Sequence, residues 1–108
     1  MDFIVRPLTG HADTMIVRYD CACGCKPHAE YQQGSDEAGH EHCCCGNVHF
    51  VGKTAKASLD QYLAARVAAG EPDDIARDGY TLHETTVTAP WGEVVPVVYG
   101  LPRIMLKH

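Results

Sequence analysis

No run of basic residues occurs anywhere in this chain. Its nine lysines and arginines are scattered, no two of them adjacent, and the formal net charge is −5. Nucleic acid and anionic membrane surfaces are recognised by clustered lysine and arginine, so neither is an expected partner. No stretch approaches the roughly 18 consecutive apolar residues of a membrane span. The opening Met1-Asp2-Phe3-Ile4-Val5-Arg6-Pro7 has no basic segment followed by an apolar run. It therefore does not read as a secretory leader, and a cytoplasmic location is expected. The G-x-S-x-G, H-E-x-x-H and Walker-loop patterns are missing as well, which removes the motif-borne nucleophilic, metalloprotease and phosphate chemistries. Cysteine is absent before Cys21 and after Cys45, and all six cysteines fall between those two positions.

What is present fits one domain spanning residues 1–108. A domain of this length buries under about two-thirds of the surface its unfolded chain exposes, so its apolar core is thin and gains from a metal cross-link. Residues 3–8 and 14–21 read as strands flanking Gly10-His11-Ala12-Asp13. In the second, Met15, Val17, Tyr19 and Cys21 alternate with Ile16, Arg18 and Asp20, the period of a half-buried strand. Apolar patterning then vanishes until Val48 and Phe50 restart a strand. Ser58, with Gln61 three residues on, reads as a capping box, and Leu59, Tyr62, Leu63 and Val67 follow on one helical face. Gly70 and Pro72 stop that helix, and a turn is expected over 73–78. Tyr80 to Thr88 and Val94 to Tyr99 are β-rich. Pro96 cannot donate to a ladder, so the last strand is expected at an edge or bulged. The fold class is α+β: a small, mostly antiparallel sheet, one helix, and a zinc-ribbon-like Cys/His metal loop.

The cysteines form a pseudo-repeat. Cys21-Ala22-Cys23-Gly24 and Cys43-Cys44-Cys45-Gly46 both read C-x-C-G, with nineteen residues between Cys23 and Cys43. Zinc–sulfur bonds are about 2.3 Å, which sets two thiolates on one ion about 3.8 Å apart. Alternate residues on a flat strand are about 6.6 Å apart, so a C-x-C pair shares an ion only where the backbone turns back. A glycine just after the second cysteine allows the positive φ that such a turn needs. Cys21, Cys23, Cys43 and Cys45 are the first-choice metal ligands. In a reducing compartment, clustered cysteines are more often ligands or redox thiols than structural disulfides.

More donors are present than one ion needs. Cys25, His28, His40, His42 and Cys44 form a candidate second site within a segment read as a flexible acidic loop, where Glu30, Asp36, Glu37 and Glu41 accompany the single Lys26. Zinc is the first expectation. Copper(I), which accepts two or three thiolates, and an iron–sulfur cluster, whose usual cysteine spacings are missing here, are the alternatives. Adjacent Cys44 and Cys45 also leave a thiol redox role open. His83 reads as a strand-face residue rather than an acid or base, and Trp91 as packing in the turn at Pro90–Gly92.

The segment Cys43-Cys44-Cys45-Gly46-Asn47-Val48-His49-Phe50 resembles the C-x-C-G-x-V-x-F signature of the glutathione-dependent formaldehyde-activating family, a zinc-bearing β fold. The resemblance implies zinc ligation by Cys43 and Cys45. The paired cysteines that follow in that family have no counterpart here, since no cysteine occurs after Cys45.

Three functions follow as expectations. The first is a structural zinc module that acts as an interaction module for another protein. The second is a metal chaperone, buffer or sensor using the surplus ligands. The third is a small zinc enzyme related to formaldehyde-activating-type folds, with His49 or His83 as acid or base.

Overall fold

The computed structural model describes residues 2–43, 45–70 and 79–102. Cys44, Pro72 and the turn expected over 73–78 lie outside them. The order is β1 (Ile4–Leu8), β2 (His11–Arg18), β3 (His28–Gln32), β4 (Gly39–His42), β5 (Val48–Val51), α1 (Ala55–Ala68), β6 (Tyr80–Thr88) and β7 (Val94–Pro102). The class is α+β, but the strands make two antiparallel sheets rather than one, ordered β1-β2-β3 and β4-β5-β7-β6.

Side-chain alternation explains why the sheets stack. On β5, Val48 and Phe50 face one way and His49 and Val51 the other, and all four are buried because both faces of this short strand are covered. Val51, Val95 and Val97 of the four-stranded sheet pack with Met15, Val17, Ala29 and Tyr31 of the three-stranded one. Val48, Phe50, Tyr80 and Val98, on the opposite face, pack under Ala55, Leu59 and Leu63 of α1. The result is three layers, with the four-stranded sheet in the middle.

Four sequence expectations are corrected. The segment read as a flexible loop contains β3 and β4. Their sole apolar alternation is Ala29 and Tyr31, buried between exposed His28, Glu30 and Gln32, which is too short a signal to register as a strand. Residues 11–13, expected in a turn, belong to β2, because Gly10 at φ 83° lets the chain reverse tightly so that Leu8 pairs with His11. The helix begins one turn before Ser58. Ser58 donates its N–H to the Thr54 carbonyl, as an interior residue does, and the Thr54 hydroxyl is spent on the Asp36 carbonyl instead of a cap.

Pro96 is neither at an edge nor bulged. β7 lies between β5 and β6, and Pro96 pairs in register with Thr86. Its carbonyl accepts from Gly52 at 3.0 Å, just beyond the end of β5. Since a residue's N–H and C=O point to the same side of a strand, the proline nitrogen faces a stretch where no ladder bond is needed.

α1 is held by Leu59 and Leu63, so its packing carries a testable cost. Leu59 is 1% exposed, and Leu59→Ala should destabilise the protein by about 2–5 kcal/mol in chemical denaturation. Val94→Ala, at 63% exposed, should stay within about 0.5 kcal/mol of the parent.

Candidate metal centre

The two C-x-C-G segments are the tips of two hairpins, one from each sheet. The first tip joins β2 to β3 and the second joins β4 to β5. Each is built by the same pair of backbone hydrogen bonds. Cys21 N–H donates to the Cys25 carbonyl at 2.9 Å, and Gly24 N–H to the Cys21 carbonyl at 2.9 Å. In the second tip, Cys43 N–H donates to the Asn47 carbonyl at 3.0 Å, and Gly46 N–H to the Cys43 carbonyl at 2.9 Å. Gly24 and Gly46 take φ values of 94° and 89°, the left-handed conformation expected from their place after the second cysteine.

Folding brings the two tips face to face. The sulfurs of Cys21, Cys23, Cys43 and Cys45 all lie within 4.8 Å of one another. Cys21 Sγ is 3.6 Å from Cys43 Sγ and 3.9 Å from Cys45 Sγ. These separations bracket the ~3.8 Å edge of a tetrahedral zinc–thiolate site and are far beyond the ~2.05 Å of a disulfide. None of the four is in a disulfide, and together they can hold a metal ion. Cys43 is buried, Cys21 and Cys45 are half-buried, and Cys23 is exposed.

Electrostatics within the group favours a cation. The Cys45 thiol is pushed well above the ordinary range by its hydrogen-bonded neighbour Cys23, then by burial and by Cys21. At Cys21 the backbone N–H of Cys23 favours the thiolate, but burial and the adjoining Cys23 and Cys43 thiols outweigh it, and the net shift is upward. Each further thiolate would be repelled by its neighbours, and a divalent ion among them removes that penalty. Asn47 completes the surroundings by aiming its side-chain amide at Cys21 Sγ, 3.8 Å away.

The remaining expected donors that the structure describes, Cys25, His28, His40 and His42, are not part of that group. Cys25 lies at the position in the first tip that Asn47 holds in the second. The His28 Nδ1 lies 2.8 Å from the Lys26 carbonyl. His40 stacks on Phe50 at 5.1 Å, and His42 lies beside Glu41 at 3.6 Å. Among the described residues, the only group of three or more potential ligands is the four-cysteine one. His49 is wholly buried and donates from Nε2 to the Val17 carbonyl at 2.9 Å, and burial lowers its pKa. His83 stacks on its cross-strand partner Tyr99 at 5.0 Å, as a strand-face residue would. Trp91 packs against the inter-sheet core and donates from Nε1 to Glu93 at 2.8 Å.

One supporting contact had no signal in the sequence. Tyr80 on β6 accepts a hydrogen bond from Arg66 Nη1 at 2.7 Å and donates one to the Gly46 carbonyl at 3.0 Å. It thereby ties the last turn of α1 to the second hairpin tip. The link depends on β7 lying between β5 and β6, and the β5–β7 half of that arrangement is a non-local pairing that no local pattern announces.

No family model, no curated protein and no solved structure matches the chain. The likeness to the formaldehyde-activating signature therefore stands on Cys43 to Phe50 alone. Among the described residues, no helix is long and apolar enough to cross a membrane.

The Tyr80 link yields a direct test. Tyr80→Phe removes the hydroxyl shared by Arg66 and Gly46 while keeping the ring. Unfolding of the metal-loaded variant should cost about 1–3 kcal/mol less than that of the parent, and amide exchange at Gly46 should quicken. An unchanged exchange rate there would show that Tyr80 does not brace the tip.

Proposed function

We propose that the chain is a metal-dependent structural module of a reducing compartment. In this reading, Cys21, Cys23, Cys43 and Cys45 hold one zinc ion as thiolates, and the surface so fixed binds another protein. The carrying observation is the convergence of four sulfurs at tetrahedral spacing from two matched hairpin tips. A four-sulfur tetrahedral set suits zinc first, ahead of copper(I), which is content with fewer thiolates. It also resembles a zinc ribbon in logic, with each half-site a glycine-terminated turn at the end of a β-hairpin. Four protein ligands close the coordination sphere, which speaks for a structural ion and against an open catalytic one. With the ion bound, the formal charge falls from −5 to about −7, because four thiolates and one divalent cation add −2. The favoured partner is therefore a neutral or basic protein surface.

A second reading, metal chaperone or buffer, draws on the exposure of Cys23. An exposed ligand gives an incoming chelator access to the ion without unfolding the protein. The rate of metal transfer separates the two readings, since a structural ion leaves as slowly as the tips open.

Elemental analysis of the purified protein should find about one zinc per chain. Chelation, or Cys43→Ser, should reduce amide-exchange protection at Val17 and Val48, on either side of the site, and should lower the midpoint of unfolding. A chain without metal, with six titratable thiols and unchanged protection, would remove the basis of this function.

A further inference from the structure

Next to the four-cysteine group lies a buried hydroxyl without an obvious task. Tyr19, two residues before Cys21, is 2% exposed. Its ring is wedged edge-on against Phe3 at 5.8 Å and His49 at 5.2 Å. His49 is itself pinned by its hydrogen bond to the Val17 carbonyl, so the phenol cannot swing out to water. Yet Tyr19 Oη makes no well-formed hydrogen bond to an oxygen or nitrogen among the described residues. A buried hydroxyl left unpaired is costly, and a fold that keeps one usually supplies an acceptor in the functional state.

The acceptor is next to it: the Cys43 side chain is a hydrogen-bonding neighbour of the phenol. Cys43 is the most buried of the four thiols, 4% exposed. As a neutral thiol it is a weak acceptor, whereas a metal-bound thiolate is a good one that, at this depth, cannot be hydrated. We propose that Tyr19 is a positioning residue of the metal centre, donating its hydroxyl hydrogen to the Cys43 thiolate when the ion is bound. This rests on the four-thiolate reading above and assigns that site a specific outer-sphere donor. Such outer-sphere partners fix the orientation of a ligand and withdraw charge from it. Asn47 serves Cys21 in this way from the second tip, and Tyr19 would serve Cys43 from the end of β2. Each hairpin would then supply a donor to a sulfur of the other.

The test is Tyr19→Phe, which keeps the ring between Phe3 and His49 and deletes only the hydroxyl. Loss of an outer-sphere hydrogen bond should weaken zinc binding about tenfold in competition with a chromophoric chelator. In the cobalt(II)-substituted protein, the sulfur-to-metal charge-transfer band should move to longer wavelength, because an unbonded thiolate holds its electrons less tightly. Packing alone would not shift that band. A measurement on the parent protein needs no variant: loaded with cadmium-113, it should show a slowly exchanging Tyr19 hydroxyl proton coupled to the metal nucleus. A parent chain that binds cobalt through four thiolates, with a variant of identical affinity and spectrum and no such proton, overturns this assignment and leaves the metal site standing. A parent chain that takes up no metal overturns both.

Discussion

Like charges in a small space set the terms for this fold. Four sulfurs within 4.8 Å cannot all ionise unaided, because each thiolate raises the cost of the next. Hydrogen bonding to neighbouring thiols and burial shift Cys21 and Cys45 upward, toward the neutral form. Protonated, the same four groups are weakly interacting thiols at the meeting point of two sheets, with little to hold the tips together. A divalent cation would convert repulsion into attraction where the two hairpin tips meet. Packing of Val17 and Met15 against Val51 and Val97 secures the sheets along their faces. A metal ion held by the four cysteines would secure them at their ends.

The supporting contacts reach this point from every layer. Tyr19 and His49 come from the interface between the sheets, Asn47 from the second tip itself, and Tyr80 from the far side of the four-stranded sheet with Arg66 of α1 behind it. The aromatic cluster of Phe3, Tyr19, His49 and Tyr99 is thus more than filler. It carries the rigidity of β1, β2, β5 and β7 to within two residues of the first ligand pair. The helix contributes through one hydroxyl and one guanidinium rather than through its apolar face alone.

How much of this could be read from the chain depended on whether the signal was local. The C-x-C-G repeat was legible because a turn, its glycine and its two ligands lie within four residues, and Gly24 and Gly46 adopt the expected positive φ. The strand at Met15 to Val17 and the helical face at Leu59 and Leu63 were legible by period. β3 and β4 were not, since the polar side chains of His28, Glu30, His40 and Glu41 mask strands whose pairing comes from β2 and β5. The start of α1 was misplaced because the Ala55 anchor and the Gly52 turn outweigh the local cap signal at Ser58. The central position of Pro96 became intelligible only once the short reach of β5 was known. Tyr80, which is hydrogen-bonded to the second tip, and Tyr19, buried two residues before Cys21, read in the sequence as ordinary strand residues.

X-ray absorption at the zinc edge of the purified protein reads the coordination sphere itself. Four sulfur scatterers at about 2.3 Å, with no nitrogen or oxygen shell, are the predicted result. A mixed sphere with a nitrogen or oxygen component near 2.0–2.1 Å would contradict a four-thiolate centre, because a histidine or water would then stand in place of Cys21, Cys23, Cys43 or Cys45.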